Sequence, residues 1–220
     1  MRVEILEKSD REITFVLEGV KPSFASALRR VMMTEISTMA VEYVDFRKNS
    51  SALNDEVVAN RLGQVPLTFD PKAYNLPNEC TCGGKGCSKC QVTLALKKKG
   101  PGMVYSGDMK STDKDVKPVY DKIPIVELFD GQEIQFEAMA QLGTGRKHSK
   151  WMGAVVGYKN KPVKETPRAE ETEDTKYAED AFIFDVESAS GLDAENVVTE
   201  AADVLEKKMA DFAKALKKLK

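Results

Sequence analysis

The sequence predicts a mixed α+β protein in which strands dominate and a long helix comes last. Three observations carry this prediction. Residues 2–18 alternate between apolar and polar side chains in two runs, which is typical of a β-hairpin. Residues 41–158 contain further short β patterns separated by loops. Residues 193–218 instead repeat apolar side chains at helical spacing.

Length, composition and charge exclude several classes of protein. A chain of 220 residues with 42% hydrophobic residues can form one large domain or two small ones. Its 33 basic and 35 acidic residues give a net charge of −2, so no overall charge draws it to nucleic acid or an anionic membrane. We see no secretory leader and no run of about 18 apolar residues, and we expect a cytoplasmic protein without a membrane span.

The first elements are a hairpin and a helix. Residues 8–10 are polar and form the hairpin turn. Pro22 and Ser23 mark a helix start, because serine caps helices well and proline is excluded from their interior. Apolar residues at three-to-four-residue spacing then share one face, namely Phe24, Leu28, Val31 and Met32. Arg29 and Arg30 fall elsewhere on this helix.

The middle of the chain is interpreted as strands around one short helix. The strands are predicted at 41–46, 92–96, 103–109, 123–126 and 133–141. The helix is predicted at 55–62, because Asp55 suits the positive end of the helix dipole and Gly63 suits the end of the helix. Residues 64–67 are expected to be extended, since the residue before Pro66 is held out of the helical region.

The last part of the chain combines a linker, a strand and a long helix. Residues 159–179 are polar, charged and contain two prolines, which predicts a charged linker. A strand at 182–187 precedes the helix. The apolar residues of the helix follow a 3.5-residue repeat: Val198, Ala202, Leu205, Met209, Phe212, Leu216 and Leu219. Such a repeat fits a helix packed on its own sheet, but a length of about 39 Å favours a shared interface.

Four cysteines lie within eleven residues, in a loop at 78–92 that we call the cysteine loop. They are Cys80, Cys82, Cys87 and Cys90. Four thiolates can close a tetrahedral zinc site, and the intervening glycines allow the tight turns that such a site needs. An iron–sulfur cluster also uses four cysteines and is the less favoured alternative. In a reducing cytosol, metal binding is expected over disulfides, and four sulfur ligands would make the site structural.

His148 is the only histidine and lies near the only tryptophan, Trp151. One interpretation makes His148 the general base of a hydrolase. A packed loop residue is favoured instead, because no motif marks a serine, cysteine or carboxylate partner. The sequence also contains no phosphate-binding loop, dinucleotide fingerprint or aspartate cluster of a two-metal site. We therefore expect neither catalytic residues nor a small-molecule substrate.

Five segments, in order along the chain, resemble the α-like assembly subunits of multisubunit RNA polymerases. The segments are residues 22–36, 61–67, 104–108, 142–151 and 184–191. The family includes the bacterial α amino-terminal domain, the archaeal D-type polymerase subunit and the third-largest subunit of eukaryotic polymerase II. The last two are the most similar, and the short length favours an archaeal member. The resemblance covers nearly the whole chain.

The resemblance implies a two-domain, α-subunit-like architecture. A discontinuous dimerisation domain would comprise residues 1–40 and 180–220, with an inserted β-rich domain at 41–158. It also implies a non-catalytic subunit of DNA-directed RNA polymerase, a nucleotidyltransferase. This subunit would pair with a small α-like subunit, called L in archaea, and nucleate assembly of the large catalytic subunits. Small subunits N and P would join, and DNA would be approached only indirectly.

The resemblance also assigns candidate contact residues. The dimer interface would include Phe24, Leu28, Val31, Val198, Ala202, Leu205, Met209, Phe212 and Leu216. Candidates for contact with a large subunit are Arg29, Arg30, Arg61, His148, Lys150 and Trp151. The cysteine loop is similar to the zinc loop of the eukaryotic relative.

Two further points follow from the cysteines. Some archaeal relatives carry a ferredoxin-like module before the last strand, but no cysteine follows Cys90 here, so we expect no such module. The alternative to a scaffold is a stand-alone metal-binding or redox protein built on the cysteine loop. Changing Cys82 to serine would abolish the activity of such a protein, whereas a scaffold would keep its pairing.

Overall fold

A computed structural model describes residues 1–163 and 175–218. The strands are β1 (Arg2–Lys8), β2 (Glu12–Glu18), β3 (Ser37–Asn49), β4 (Val92–Lys99), β5 (Gly102–Tyr105), β6 (Lys110–Ser111), β7 (Pro124–Leu128), β8 (Glu133–Thr144), β9 (Ala154–Pro162) and β10 (Tyr177–Ser188). The helices are α1 (Pro22–Thr34), α2 (Asp55–Gly63) and α3 (Ala194–Lys217). The α+β class expected from the sequence is confirmed. None of the described helices is both long and apolar enough to cross a bilayer.

Contacts divide the chain into two compact units. The first unit comprises Met1–Ile36 together with Met152–Lys220, and the second comprises Ser37–Trp151. The first unit is therefore discontinuous in sequence, and the second is inserted into it. The boundaries differ from those expected, since residues 37–40 belong to the second unit and residues 152–158 to the first.

The first unit is built on a four-stranded antiparallel sheet in the order β1-β2-β10-β9. The apolar residues of β2 and β10 meet on one face in register, and the Phe15 ring stacks on the Phe184 ring with centroids 5.1 Å apart. α1 buries Ala25, Leu28, Val31 and Met32, and α3 buries Ala194, Val197 and Ala201. The core of this unit therefore lies between one sheet face and the two helices.

The β9–β10 hairpin was not predicted. β9 pairs with β10, so residues 159–162 and 177–179 are strand rather than linker. Lys159 and Lys161 lie on this edge strand, and Lys161 pairs with Glu18 of β2. Their charge made the segment resemble a linker, although its backbone completes the sheet. The rest of the predicted linker, 164–174, lies outside the described residues.

The second unit contains a four-stranded sheet, β3-β8-β4-β6, and a two-stranded sheet, β5-β7. Alternate residues of β8 are buried and align with the buried Val92, Leu94 and Leu96 of β4. α2 packs on β3. The strand predicted at 103–109 ends at Tyr105, because the Asp108 carboxylate accepts the Tyr105 N–H at 2.8 Å and the chain turns.

Candidate metal centre and assembly surfaces

The four cysteine sulfurs lie close enough together to share one ion. The Sγ–Sγ distances are 3.5 Å for Cys80–Cys82, 3.6 Å for Cys80–Cys87 and for Cys82–Cys90, and 3.8 Å for Cys87–Cys90. All four sulfurs lie within 4.8 Å of one another. In a tetrahedron with metal–sulfur distances of about 2.3 Å, the sulfurs are about 3.8 Å apart. The donor set therefore fits one tetrahedral ion.

The local backbone explains how so short a loop brings the sulfurs together. Gly86 has a φ of 83°, in the left-handed region that glycine adopts at little cost, and a Cβ there would overlap the Gln91 side chain. The chain then turns so that Cys90 N–H donates to Cys87 O at 2.9 Å. Cys87 N–H donates in return to Cys90 Sγ at 3.3 Å. Such an N–H···S bond stabilises a thiolate, and thiolates are the form that binds metal.

The pKa values of the cysteine thiols are shifted in different directions. The hydrogen bond with Cys80 lowers the pKa of Cys82 to about 6. Burial raises the pKa of Cys90 to about 12. A bound cation would favour the thiolate at every position, because its charge offsets the cost of ionising a buried sulfur.

The segment just before the cysteine loop is bonded both to the loop and to the rest of the second unit. Asn75 N–H donates to Lys89 O at 2.8 Å. The Tyr74 hydroxyl donates to the Asp113 carboxylate, and burial together with this carboxylate raises the pKa of Tyr74. The loop is therefore supported by contacts that do not depend on a metal.

The predicted interface residues fall into two groups. Leu28 and Val31 are buried within the first unit, and Val198 and Leu205 are half-buried. Ala202 is exposed, as are the large side chains of Phe24 (39%), Met209 (64%), Phe212 (61%) and Leu216 (49%). We call Met209, Phe212 and Leu216 the exposed row of α3. Leu219, the last position of the predicted repeat, lies outside the described residues.

The side chains of α3 are partly buried in its first turns and exposed in its distal part. Its first turns bury Ala194, Val197 and Ala201, which are not the residues of the predicted repeat. Every described residue from 206 to 218 is exposed. At about 1.5 Å per residue this distal part is about 20 Å long. An ion pair between Lys208 and Glu35 links it to the end of α1.

The predicted large-subunit contacts differ in their freedom to meet a partner. Arg29 is half-buried, and its Nε–H donates to Val156 O at 2.8 Å, which ties α1 to β9 within the first unit. Arg30 is exposed. Arg61 is exposed, but its guanidinium donates to Ile125 O at 2.8 Å. Among the described contacts, the guanidinium groups of Arg29 and Arg61 are hydrogen-bonded within the chain, whereas the Arg30 side chain lies at the surface.

Trp151 is 1% exposed, so its side chain has no surface for direct contact with a partner. Its indole N–H donates to Gln141 O at 3.1 Å. The Nζ atoms of Lys147 and Lys150 lie 4.8 and 4.4 Å from the ring centroid. The buried Trp151 ring therefore makes cation–π contacts that position the ammonium groups of both lysines.

Both lysines also pair with Glu42, which was not among the predicted site residues. Burial would raise the pKa of Glu42, but the hydrogen bonds and charges of Lys150 and Lys147 lower it. Two cations thus share one carboxylate. No sequence signal marks Glu42, because it lies more than a hundred residues from both lysines.

His148 lies at the edge of this cluster. It is exposed, its Nδ1 accepts the Lys150 N–H at 3.1 Å, and its ring meets the Trp151 ring edge-on at 6.5 Å. The backbone N–H of His148 donates to Thr144 O. These described contacts are those of a loop residue packed beside Trp151.

Known polymerase subunits are similar to this chain over most of its length. A family model described as the RNA polymerase Rpb3/RpoA insert domain matches residues 43–155. The DNA-directed RNA polymerase subunit Rpo3 of Methanothermobacter thermautotrophicus is 37% identical over 254 aligned positions, covering 94% of this chain and 96% of that protein. That alignment is longer than this chain, so the relative contains residues without a counterpart here.

The Rpo3 subunits of Archaeoglobus fulgidus and Pyrococcus furiosus are 47% and 48% identical to this chain. These matches cover 70% and 72% of this chain. They cover 58% and 59% of the two relatives, so the aligned part spans little more than half of each.

Proposed function

This chain belongs to the archaeal Rpo3 family of RNA polymerase subunits, and we propose that it is a non-catalytic assembly subunit of a DNA-directed RNA polymerase. In this proposal the first unit is the dimerisation domain and the second unit is the inserted domain. The chain pairs with a small α-like subunit, L, and the pair nucleates assembly of the large catalytic subunits in the cytoplasm. Subunits N and P then join, and contact with DNA is indirect.

The observation that carries the proposal is the exposed row of α3. Three large apolar side chains lie along one face of a helix and remain about half to two-thirds exposed. Exposed apolar surface of this kind is unfavourable in water and is typical of a surface that binds another protein. The half-buried Val198 and Leu205 extend the row toward the body of the first unit.

The candidate large-subunit contacts belong to the same proposal. Arg30, Arg61 and His148 are exposed, and Lys147 and Lys150 form a cationic cluster over Trp151. Two lysines on one carboxylate leave net positive charge, which suits an acidic partner surface. In this proposal Trp151 acts indirectly, by positioning the lysines.

We propose that the cysteine loop binds one zinc ion with a structural role. Cys80, Cys82, Cys87 and Cys90 would be the ligands, and the bound ion would hold the loop in a fixed conformation. The single-ion spacing of the sulfurs supports zinc over a multinuclear iron–sulfur cluster, whose several metal atoms would hold the ligands farther apart.

A tagged purification from the native host, followed by mass spectrometry and subunit stoichiometry, tests the assembly role. We expect the large polymerase subunits and one small α-like subunit per copy of this chain. Recovery of the chain alone, folded and soluble, would contradict the proposal. The lowered pKa of Cys82 would then favour the redox alternative, because a readily formed thiolate is the reactive form of cysteine.

A further inference from the structure

The side chain of Arg11, just before β2, lies against the turn that joins β10 to α3. One of its terminal nitrogens donates to Ser188 O at 2.7 Å and to Ser190 O at 2.8 Å. The other terminal nitrogen donates to Leu192 O at 3.3 Å. These three residues are 5%, 4% and 3% exposed. One guanidinium therefore gathers three backbone carbonyls of a single buried turn.

This turn depends on the guanidinium of Arg11 for its conformation. Three carbonyl oxygens that converge on one place repel one another unless a donor lies between them. A guanidinium is always charged and presents five N–H donors in fixed directions, so it can serve all three at once. Without it, buried acceptors would be left unpaired, which is costly.

The β1–β2 turn also holds the first residue of α3. Ala194 N–H donates to Asp10 O at 2.9 Å. Within the described part of the chain, the side chain of the N-cap residue Asp193 makes no capping hydrogen bond. The carbonyl of Asp10 thus satisfies an N–H that the helix itself leaves free. We call Asp10, Arg11 and residues 188–194 the α3 anchor.

The α3 anchor matters because the rest of α3 is held weakly. Among the described residues, those that α3 buries are Ala194, Val197 and Ala201, all in its first turns. Two of them are alanines, whose single methyl group makes few contacts that resist a tilt of the helix. Phe212 lies about 16 Å along the axis beyond Ala201. A tilt of about 10° would move it by about 3 Å, enough to separate side chains in contact.

We propose that Arg11 is a positioning residue: it fixes the direction in which α3 leaves the first unit, and with it the placement of the exposed row. The inference rests on the proposed function, in which the exposed row meets the partner, and assigns a residue outside that row to the same task. Arg11 acts only through the turn at 188–192.

A second link between the same hairpin and the same helix provides the matched control. Lys8 forms an ion pair with Glu195 in the first turn of α3, and the two side chains are 45% and 52% exposed. Exposed pairs of this kind contribute little. Lys8→Gln and Arg11→Gln remove the same charge from the same hairpin, but only Arg11→Gln leaves buried carbonyls without their donor.

The first test measures the direction of α3 in the full-length chain without a partner. The residue p-acetylphenylalanine replaces the exposed Glu4 of β1 and the exposed Ala213 of α3, and both ketones are coupled to nitroxides, which spares the cysteines. Pulsed electron double resonance then gives the distribution of nitroxide distances. All samples are prepared under conditions in which circular dichroism shows a fully folded protein.

We expect one narrow distance peak for the parent protein and for Lys8→Gln. Arg11→Gln should broaden or displace this peak by about 3 Å. Arg11→Lys keeps the charge but not the fork of donors, and it should give an intermediate change, which also serves if Arg11→Gln does not fold.

Two results would overturn the role of Arg11. One is a peak in the Arg11 variants that is as narrow as in the parent protein, even if their unfolding temperature falls, because Arg11 would then stabilise the fold without directing the helix. The other is equal broadening in Lys8→Gln, or a parent distribution already as broad as that of the variants.

The second test is the affinity of the same variants, without labels, for the purified small α-like subunit of the same host, measured by isothermal titration calorimetry. If Arg11→Gln leaves α3 in the binding direction about a tenth of the time, Kd should rise about tenfold. Lys8→Gln should change Kd by less than about threefold. An unchanged Kd in an Arg11 variant whose distances have broadened would overturn the link between helix direction and pairing.

Failure of the proposed function looks different from failure of this inference. If the parent protein itself does not bind the small subunit, the proposed function fails. The distance measurement on the chain alone still decides whether Arg11 directs α3, because it requires no partner.

Discussion

The second unit buries its main apolar row, whereas the first unit leaves one exposed. In β4 and β8 of the second unit, Leu94, Phe136 and Leu142 are 4% exposed or less. In α3 of the first unit, Met209 and Phe212 are 64% and 61% exposed. A domain that satisfies its own hydrophobic surface can fold alone, but one that does not depends on the concentration of a partner. Under the proposed function, this difference fits a discontinuous unit whose exposed helix face is covered by a partner.

The largest expected effect comes from charging the exposed row. Met209→Lys combined with Phe212→Lys should weaken pairing with the small subunit by more than about 100-fold, because charges would be buried in an apolar interface. The thermal unfolding of the chain alone should change little, since both side chains are exposed. Sedimentation analysis of the mixture and calorimetry of the isolated chain measure the two quantities.

Ala210→Lys is the control for that variant, since residue 210 is exposed on the same part of α3 and lies about 130° around the helix from the middle of the exposed row. It should pair normally. Equal loss of affinity in both variants would mean that the row is not the specific contact, and the contrast between the two units would lose its main support.

A smaller effect, confined to stability, is expected in the second unit. A Cβ on Gly143 would overlap the Trp151 ring. Gly143→Ala should therefore lower the free energy of unfolding of the second unit by about 3 kcal/mol, as overpacking of a core does. Urea unfolding measures this loss, and the folded protein should still pair.

Gly157→Ala is its control, because a Cβ at Gly157 in β9 of the first unit meets nothing within 4 Å. Its free energy of unfolding should stay within about 1 kcal/mol of the parent value. Similar losses at both glycines would show that the overlap with Trp151 is not the cause.

Removing one sulfur should act locally. Cys82→Ser is expected to reduce zinc bound per chain and to increase amide hydrogen exchange in residues 78–92, because a zinc site with three sulfurs binds more weakly. Pairing should be unchanged. Metal analysis and exchange mass spectrometry check this, with Ser88→Ala as a control that leaves the sulfurs intact. Loss of pairing in Cys82→Ser would contradict a purely local role.

The smallest effect is a pH-dependent one at Glu42. Its pKa is lowered in the folded state, so the pairs with Lys147 and Lys150 contribute stability above the ordinary pKa of 4.5. This contribution is lost as the pH falls through the lowered pKa. Glu42→Gln should cost about 2 kcal/mol at pH 7, and the difference from the parent protein should shrink below pH 4.5.

Urea unfolding across this pH range provides the measurement, with the exposed Glu137→Gln as the control. The control should show little loss at any pH. A loss in Glu42→Gln that is the same at pH 7 and at pH 3 would mean that the ion pairs are not its origin.

Local patterns in the sequence predicted most of the elements and one candidate site. The helix expected at 193–218 is Ala194–Lys217, and the short helix expected at 55–62 is Asp55–Gly63. The cysteine loop could be found because its four ligand residues are neighbours in the chain. The interface and large-subunit residues assigned by resemblance stay predictions, although the burial of Trp151 excludes its direct contact.

The sequence by itself determined which residues share a face of each helix or strand. This depends only on the spacing of residues a few positions apart. Only the tertiary structure decided which faces are covered. The packed face of α3 is formed by Ala194, Val197 and Ala201, while the regular repeat that the sequence displays remains largely outside the core. The β9–β10 pairing and the Glu42 cluster likewise join residues distant in the chain. Such contacts are set by packing of the whole fold, and no local periodicity contains them.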